Sequence, residues 1–302
     1  MISIAFCFDE NMAYPACVAI DSLIVYRGKC HYDIYCICTH KAQELVESKL
    51  KKIVMQDADS KIMFLSAEEY FQDAYEVRGI TRSTYLRLML HRLLPQLEQV
   101  IYSDVDILFV DSLAPIWDKL ETTNLLAAVK GTNSFSHKWR ECLARDYGEE
   151  LIGLEKEYIN AGFLVMNLAA IREWNPDEIW NEMVTRKYFY QDQDILNITC
   201  KNRVSFLDIR YNVPANLVKK EFMCFAEDNI YSEEECRYAW ENPVVIHYTG
   251  EKPWNNRGTN KAKVWWDFVD SRAELQGMFE KKKVKYRKTT GIMGKINRHL
   301  PW

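Results

Sequence analysis

The chain has 302 residues, 48% apolar and 27% charged, a composition ordinary for one large α/β domain or such a domain with an appendage. Nine cysteines without a Cys-x-x-Cys motif read as core thiols of a reducing compartment. The apolar opening is cut off by Asp9 and Glu10, too early for a signal peptide, and no later stretch is long enough to cross a bilayer, so a cytoplasmic protein is expected. The net charge of −4 is uneven: residues 281–302 carry eight cations and no acid, which leaves −12 on residues 1–280 and marks the tail as a separate object.

Ile2 to Phe8 has the apolar, β-branched character of a buried strand. It leads through Asp9-Glu-Asn11 into a helical pattern from about Met12 to Tyr26, with Pro15 tolerated in the first turn. His31 to Cys38 predicts a second strand, Ala42 to Val54 a helix and Ile62 to Leu65 a third strand. Strands alternating with helices point to a parallel sheet, because a parallel pair needs a long crossover. Thr81 to Leu94 reads as a helix with Leu86, Met89, Leu90 and Leu93 on one side, stopped by Pro95. Further strands are predicted at Leu125 to Val129, Gly162 to Val165, Val204 to Leu207 and Val244 to Tyr248, with polar Gln191-Asp-Gln-Asp194 among them.

The chemistry concentrates in the run Val100 to Val110, where Asp104 and Asp106 stand one residue apart. A strand of an α/β sheet delivers functional residues at its carboxyl end. Two carboxylates this close repel each other and a divalent cation would neutralise both; a solvated turn is the plain alternative. No glycine occurs between Met1 and Tyr26, so neither a Gly-x-Gly-x-x-Gly turn nor a glycine-rich phosphate loop follows the first strand. Asp9 and Asn11 stand there instead, able to hydrogen-bond the edge of a base or simply to cap the helix. His247 ends the last strand and precedes Tyr248-Thr-Gly-Glu-Lys-Pro-Trp254, in which Gly250 permits a tight turn and Lys252 can set an ammonium against phosphate. Asp104, Asp106 and His247 together would form an oxygen-rich site with one imidazole, which suits Mn²⁺ better than Ca²⁺ and also admits Mg²⁺; a structural histidine is the alternative.

These motifs resemble those of glycosyltransferase family eight, the retaining nucleotide-sugar enzymes that include glycogenin and bacterial lipopolysaccharide galactosyl- and glucosyltransferases. The resemblance covers residues 1 to 255 and rests, in order, on the Asp9/Asn11 loop, Thr84-Tyr-Leu-Arg87, Tyr102-Ser-Asp-Val-Asp106, Asn160-Ala-Gly162, Gln191-Asp-Gln-Asp194 and His247 to Trp254. It implies a GT-A fold, a Rossmann-like α/β domain with a mixed, mostly parallel central sheet over residues 1–258, followed by a C-terminal helix at 259–280. It implies a UDP-hexose donor, galactose or glucose, a glycan or lipid-linked saccharide acceptor, and Mn²⁺ on Asp104, Asp106 and His247. Asp9 and Asn11 would contact uracil, while Asp104, Val105, Gly250 and Lys252 would contact the rest of the nucleotide. Arg87, Asp104, Asn160 and Asp192 would hold the donor hydroxyls, with Gln193 beneath the anomeric carbon. Gln193 is a poor nucleophile whose carbonyl can stabilise an oxocarbenium ion, so front-face attack with retention is expected, the leaving phosphate oxygen taking the acceptor's proton. Plainer readings make Arg87 a helix cation, Asn160 a turn residue before Gly162, and Asp192 or Asp194 a helix cap. One departure stands out: after the Leu125 strand, where the family's galactosyltransferases carry an acid, this chain has Val129-Lys-Gly131.

Other classes share parts of the pattern. A haloacid-dehalogenase-type phosphatase also places Asp-x-Asp after a strand, but it needs an aspartyl nucleophile and further acids and has no use for His247 or Asn11. A nucleotidyltransferase is disfavoured by the missing glycine loop, and a sugar-nucleotide-binding scaffold would keep the pocket without turnover. The tail joins its cations to Ile292, Ile296 and Leu300, which share a face if the segment is helical, the pattern of an anchor on an anionic membrane surface; a solvated basic tail is the alternative. No nucleic-acid partner is expected.

Overall fold

The computed structural model describes residues 1–76, 81–117, 123–131, 154, 157–217 and 230–279; the tail at 281–302, and the membrane anchor expected there, lie outside them. The chain opens with β1 (Ile2–Phe8), α1 (Ala13–Val25), β2 (Tyr32–Cys38), α2 (His40–Val54) and β3 (Lys61–Leu65). Alternation along β1 explains its central place: Ile4, Phe6 and Phe8 enter one buried cluster, Ala5 and Cys7 the other, so both faces of the sheet are covered. Thr39 starts α2 by accepting from the Ala42 N–H, the usual service of a threonine at that position. The cysteines in the described residues are free thiols, and burial pushes Cys17, Cys38 and Cys200 up to about 12, as core thiols require.

The stretch read as one long helix before Pro95 is a 3-10 helix over Arg82–Met89 that becomes α-helical only in α3 (Leu90–Leu93). At three residues per turn, side chains three apart eclipse, and Thr81, Thr84 and Arg87 consequently line one cavity wall. The Arg87 Nε–H donates to the Thr84 carbonyl at 2.9 Å and holds that tighter winding.

The Val100–Val110 run is also divided. β4 (Gln99–Ser103) lies in the main sheet beside β1, whereas β5 (Ile107–Phe109) belongs to a second, three-stranded sheet, so the chain changes sheets at Asp104–Asp106. After β6 (Leu126–Lys130) comes β7 (Ile159–Asn167), then α4 (Leu168–Trp174), α5 (Asp177–Met183), α6 (Asp192–Thr199), β8 (Val204–Phe206), β9 (Val213–Pro214), α7 (Glu233–Glu241), β10 (Val245–His247) and α8 (Ala262–Ser271). The main sheet runs β3-β2-β1-β4-β7-β6-β8 and the small one β5-β10-β9. Among the described residues of the main sheet only β7 is reversed, antiparallel to both β4 and β6. That reversal sets Phe163 opposite Ser103 and so brings Asn160-Ala-Gly162 to the edge where β4 ends.

The C-terminal helix packs on the same core, with Trp265, Trp266, Phe268 and Val269 buried beside α1 and α2. Just beyond it Arg272 forks onto Asp21 of α1, Nε to Oδ2 at 2.8 Å and Nη2 to Oδ1 at 2.9 Å, and Asp21 is fully buried. Among the described residues no helix is long and apolar enough to cross a membrane.

Burial raises the Asp21 pKa against the pull of Arg272. Arg272→Ala should raise it further, so the folded state holds the proton more tightly than the unfolded chain, and stability is lost as pH rises above the unfolded value of about 3.9. Urea unfolding should place the loss at roughly 3 kcal/mol at pH 7 and clearly less at pH 5. An equal loss at both pH values would contradict the pairing.

Candidate active site

The sheet change brings three predicted ligands together. The Asp104 N–H donates to the Gly162 carbonyl on β7 at 2.8 Å, and the Tyr248 N–H donates to the Asp106 carbonyl at 2.9 Å, so both sheets clamp the backbone of the acidic pair. β10 pairs antiparallel with β5 in a register that sets His247 opposite Ile107, next to Asp106. One ligand atom each from Asp104, Asp106 and His247 therefore lies within 4.8 Å of the others. His247 Nε2 is 3.3 Å from Asp106 Oδ1 and 3.7 Å from Asp104 Oδ2. Gly162 makes this closeness feasible, since a Cβ there would sit 2.2 Å from His247 Cε1 and 2.8 Å from Asp104 Oδ2.

Cations balance the two carboxylates from opposite sides. Lys252 Nζ donates to Asp106 Oδ2 and, at 2.6 Å, to the Tyr248 carbonyl. Burial opposes ionisation of Asp106, but the Lys252 ammonium outweighs it and holds the carboxyl well below the usual range. Arg87, 3% exposed, donates from Nη2 to Asp104 Oδ1 at 2.9 Å, and its guanidinium stacks 4.3 Å from the centre of the Tyr102 ring. It is a buried, paired residue rather than a surface helix cation, and a further N–H reaches the Ala161 carbonyl.

Asp192 lies on the other side of Arg87, with Oδ2 2.8 Å from Nε. The Nε proton is aimed at the Thr84 carbonyl, so this contact carries charge without a hydrogen bond, and Asp192 Oδ2 is left as a buried acceptor with no donor. Burial, opposed by Arg87, pushes Asp192 up to about 7. Asp194 has the structural role: buried, it accepts from the Tyr190 N–H at 2.7 Å and from the Tyr158 hydroxyl. Gln191 before the helix adopts φ 51°, outside the range most residues prefer.

All twelve residues singled out in the sequence line one cavity of about 620 Å³, in the range of small-molecule sites. Several differ in detail from the sequence reading. Asp9 is buried and already occupied, accepting from the Asn11 N–H at 2.9 Å and from the Thr81 hydroxyl at 2.8 Å, while Asn11 is exposed at the rim. Gly250 lies at a bend without a left-handed backbone, and a Cβ there would meet nothing within 4 Å, so neither its φ nor crowding within the chain demands a glycine. The Asn160 carbonyl is taken by the Gly162 N–H and by Asn212. Gln193 is pinned, its Oε1 accepting from the Ala161 N–H at 3.0 Å and its Nε2 donating to Tyr158 at 3.1 Å. Val105 lies buried between the two aspartates.

Sequence reasoning missed Asn212 and Asn216, which also line the cavity. Their signal was slight: two amides inside the otherwise apolar Val213-Pro-Ala215 neighbourhood. Asn216 Oδ1, like Gln191 Oε1 and Asp192 Oδ2, is a buried oxygen without a hydrogen-bond donor, and all three residues line the cavity.

Comparison with known proteins agrees with this geometry. Residues 3–258 match glycosyl transferase family 8. A Haemophilus influenzae protein with a provisional glycosyltransferase name is 33% identical over 212 residues, 65% of this chain and 57% of its own length. A lipopolysaccharide 1,3-galactosyltransferase of Salmonella typhimurium is 23% identical over 85% of this chain and 74% of its own. Among solved structures, the galactosyltransferase LgtC with donor and acceptor sugar analogues superposes with a TM-score of 0.67 at 25% identity, covering 90% of this chain and 96% of its own. The bifunctional glycosyltransferase WbbM gives 0.72 at 25% identity over 91% of this chain, which spans 50% of that one. With its mostly parallel mixed sheet, its acidic pair at a sheet crossing and this match, the chain is a GT-A-fold member of glycosyltransferase family 8.

Proposed function

We propose that the protein transfers a hexose, galactose or glucose, from a UDP-sugar to a hydroxyl of a cell-surface glycan such as lipopolysaccharide, with retention of configuration. The observation that carries this reading is the cluster of Asp104, Asp106 and His247 in a cavity walled by further polar side chains, Arg87, Asn160, Asp192 and Gln193 among them. A hexose brings several hydroxyl groups, each able to donate and to accept, to such a wall. The likeness to lipopolysaccharide galactosyl- and glucosyltransferases supports the same class.

Asp104, Asp106 and His247 fit a divalent cation of the Mn²⁺ type by donor set and spacing. When bound, such a cation stabilises the charge that develops on the departing diphosphate. Lys252, now neutralising Asp106, is freed toward phosphate once another positive charge takes its place, and the open space at Gly250 lets a phosphate oxygen approach the backbone. Arg87 orients Asp104 and stays charged, because its two carboxylate neighbours outweigh the cost of its burial. Gln193, held by Ala161 and Tyr158, keeps its carbonyl oxygen in place with a second lone pair for positive charge at the anomeric carbon. Such an amide forms no stable covalent intermediate, so the acceptor attacks from the side of the departing phosphate, which takes its proton.

Incubation with UDP-glucose or UDP-galactose, Mn²⁺ and no acceptor should release UDP slowly. Asp106→Asn should lower that rate by about 10²-fold or more with little change in melting temperature; metal-independent release at the full rate would remove the metal from the scheme. Gly162→Ala should fold yet lose comparable activity, since its methyl group displaces His247 and Asp104; wild-type turnover would show that their spacing is not required. Gln193→Ala should slow transfer without abolishing it, and a trapped glycosyl adduct on Gln193 or Asp192 would contradict front-face attack.

A further inference from the structure

Behind the acidic pair runs a linear hydrogen-bond chain whose direction is set by the backbone. The Gly162 N–H can only donate, and it donates to Asn160 Oδ1 at 3.0 Å. The same oxygen lies 2.8 Å from the Asn212 amide, which must therefore present its NH₂ there. The other atom of that amide is then its carbonyl oxygen, 2.8 Å from His247 Nδ1 and able only to accept. His247 Nδ1 must carry a proton. In the neutral imidazole the lone pair is thus on Nε2, the atom that faces Asp104 and Asp106.

An imidazole lone pair turned toward two carboxylates gains nothing from them, but it completes a ligand set for a cation. Asn212 is 2% exposed and His247 3%, so water is poorly placed to replace the bond between them. We infer that Asn212 is the positioning residue that selects the metal-binding tautomer of His247, a role that rests on the metal reading above. The chain has a second consequence at its other end. With its oxygen committed twice, Asn160 has only its NH₂ left for the cavity, so toward a sugar it donates to a hydroxyl oxygen.

The test is Mn²⁺ binding to the full chain without nucleotide, followed by the electron paramagnetic resonance of free Mn²⁺. Asn212→Leu, similar in size but lacking an acceptor, should weaken binding by about 10- to 100-fold, as loss of an outer-shell partner does. Asn212→Asp, which still accepts from Nδ1–H, should bind Mn²⁺ more tightly than the leucine variant. Long-range ¹⁵N–¹H correlation of metal-free wild type, followed to a pH at which the imidazole carries a single proton, should place that proton on His247 Nδ1, and this measurement needs no variant to fold. A wild-type protein that binds no Mn²⁺ would refute the metal reading, while the tautomer would still decide the role of Asn212. His247 protonated at Nε2 instead, or unchanged affinity and tautomer in Asn212→Leu, would overturn it.

Discussion

Two carboxylates one residue apart in a walled crevice must have positive charge around them, and most of this structure follows from how the fold supplies it. At the 4.8 Å that bounds the cluster, two like charges repel by about 3 kcal/mol at an effective dielectric constant of 20. That is a large share of a typical domain's net stability. Arg87 answers it from the 3-10 helix and Lys252 from the loop after β10, each by direct ion pairing. Between them His247 contributes an imidazole on its own strand, so the acids are balanced at their outer edges while the space between them stays open to a ligand.

The topology serves the same end. A strand that simply ended at Asp104 would give one edge of a site, whereas a chain that leaves one sheet and enters another at the acidic pair receives side chains from both. The reversed β7 brings Gly162 and Asn160 from the main sheet, and β10 brings His247 from the small one. Where regular α-helix would rotate Thr81, Thr84 and Arg87 away from one another, the 3-10 winding keeps them on one wall. A local departure from regular structure is here tied to the placement of functional groups.

Much of this was legible in the sequence because strand periodicity and residue chemistry are local. The β1, β2 and β3 segments, the acidic pair and the His247 strand announce themselves through runs of neighbouring residues. What stayed hidden depends on contacts distant along the chain. The reversal of β7 leaves no trace in its apolar pattern, since a strand buried on both faces reads alike in either direction. Winding of the Arg82–Met89 segment at three rather than 3.6 residues per turn depends on how Arg87 is held, not on the spacing of its leucines. Asn212 meets His247 across 35 residues of sequence, and nothing near either residue predicts the encounter.

The central claim is that the acidic pair and His247 act on a nucleotide diphosphate through a shared divalent cation. Calorimetric titration of UDP into the full chain tests it most directly, once with Mn²⁺ and once with the metal chelated. The account predicts UDP affinity at least about tenfold tighter with the metal, a difference of about 1.4 kcal/mol. Equal affinity under both conditions would contradict it.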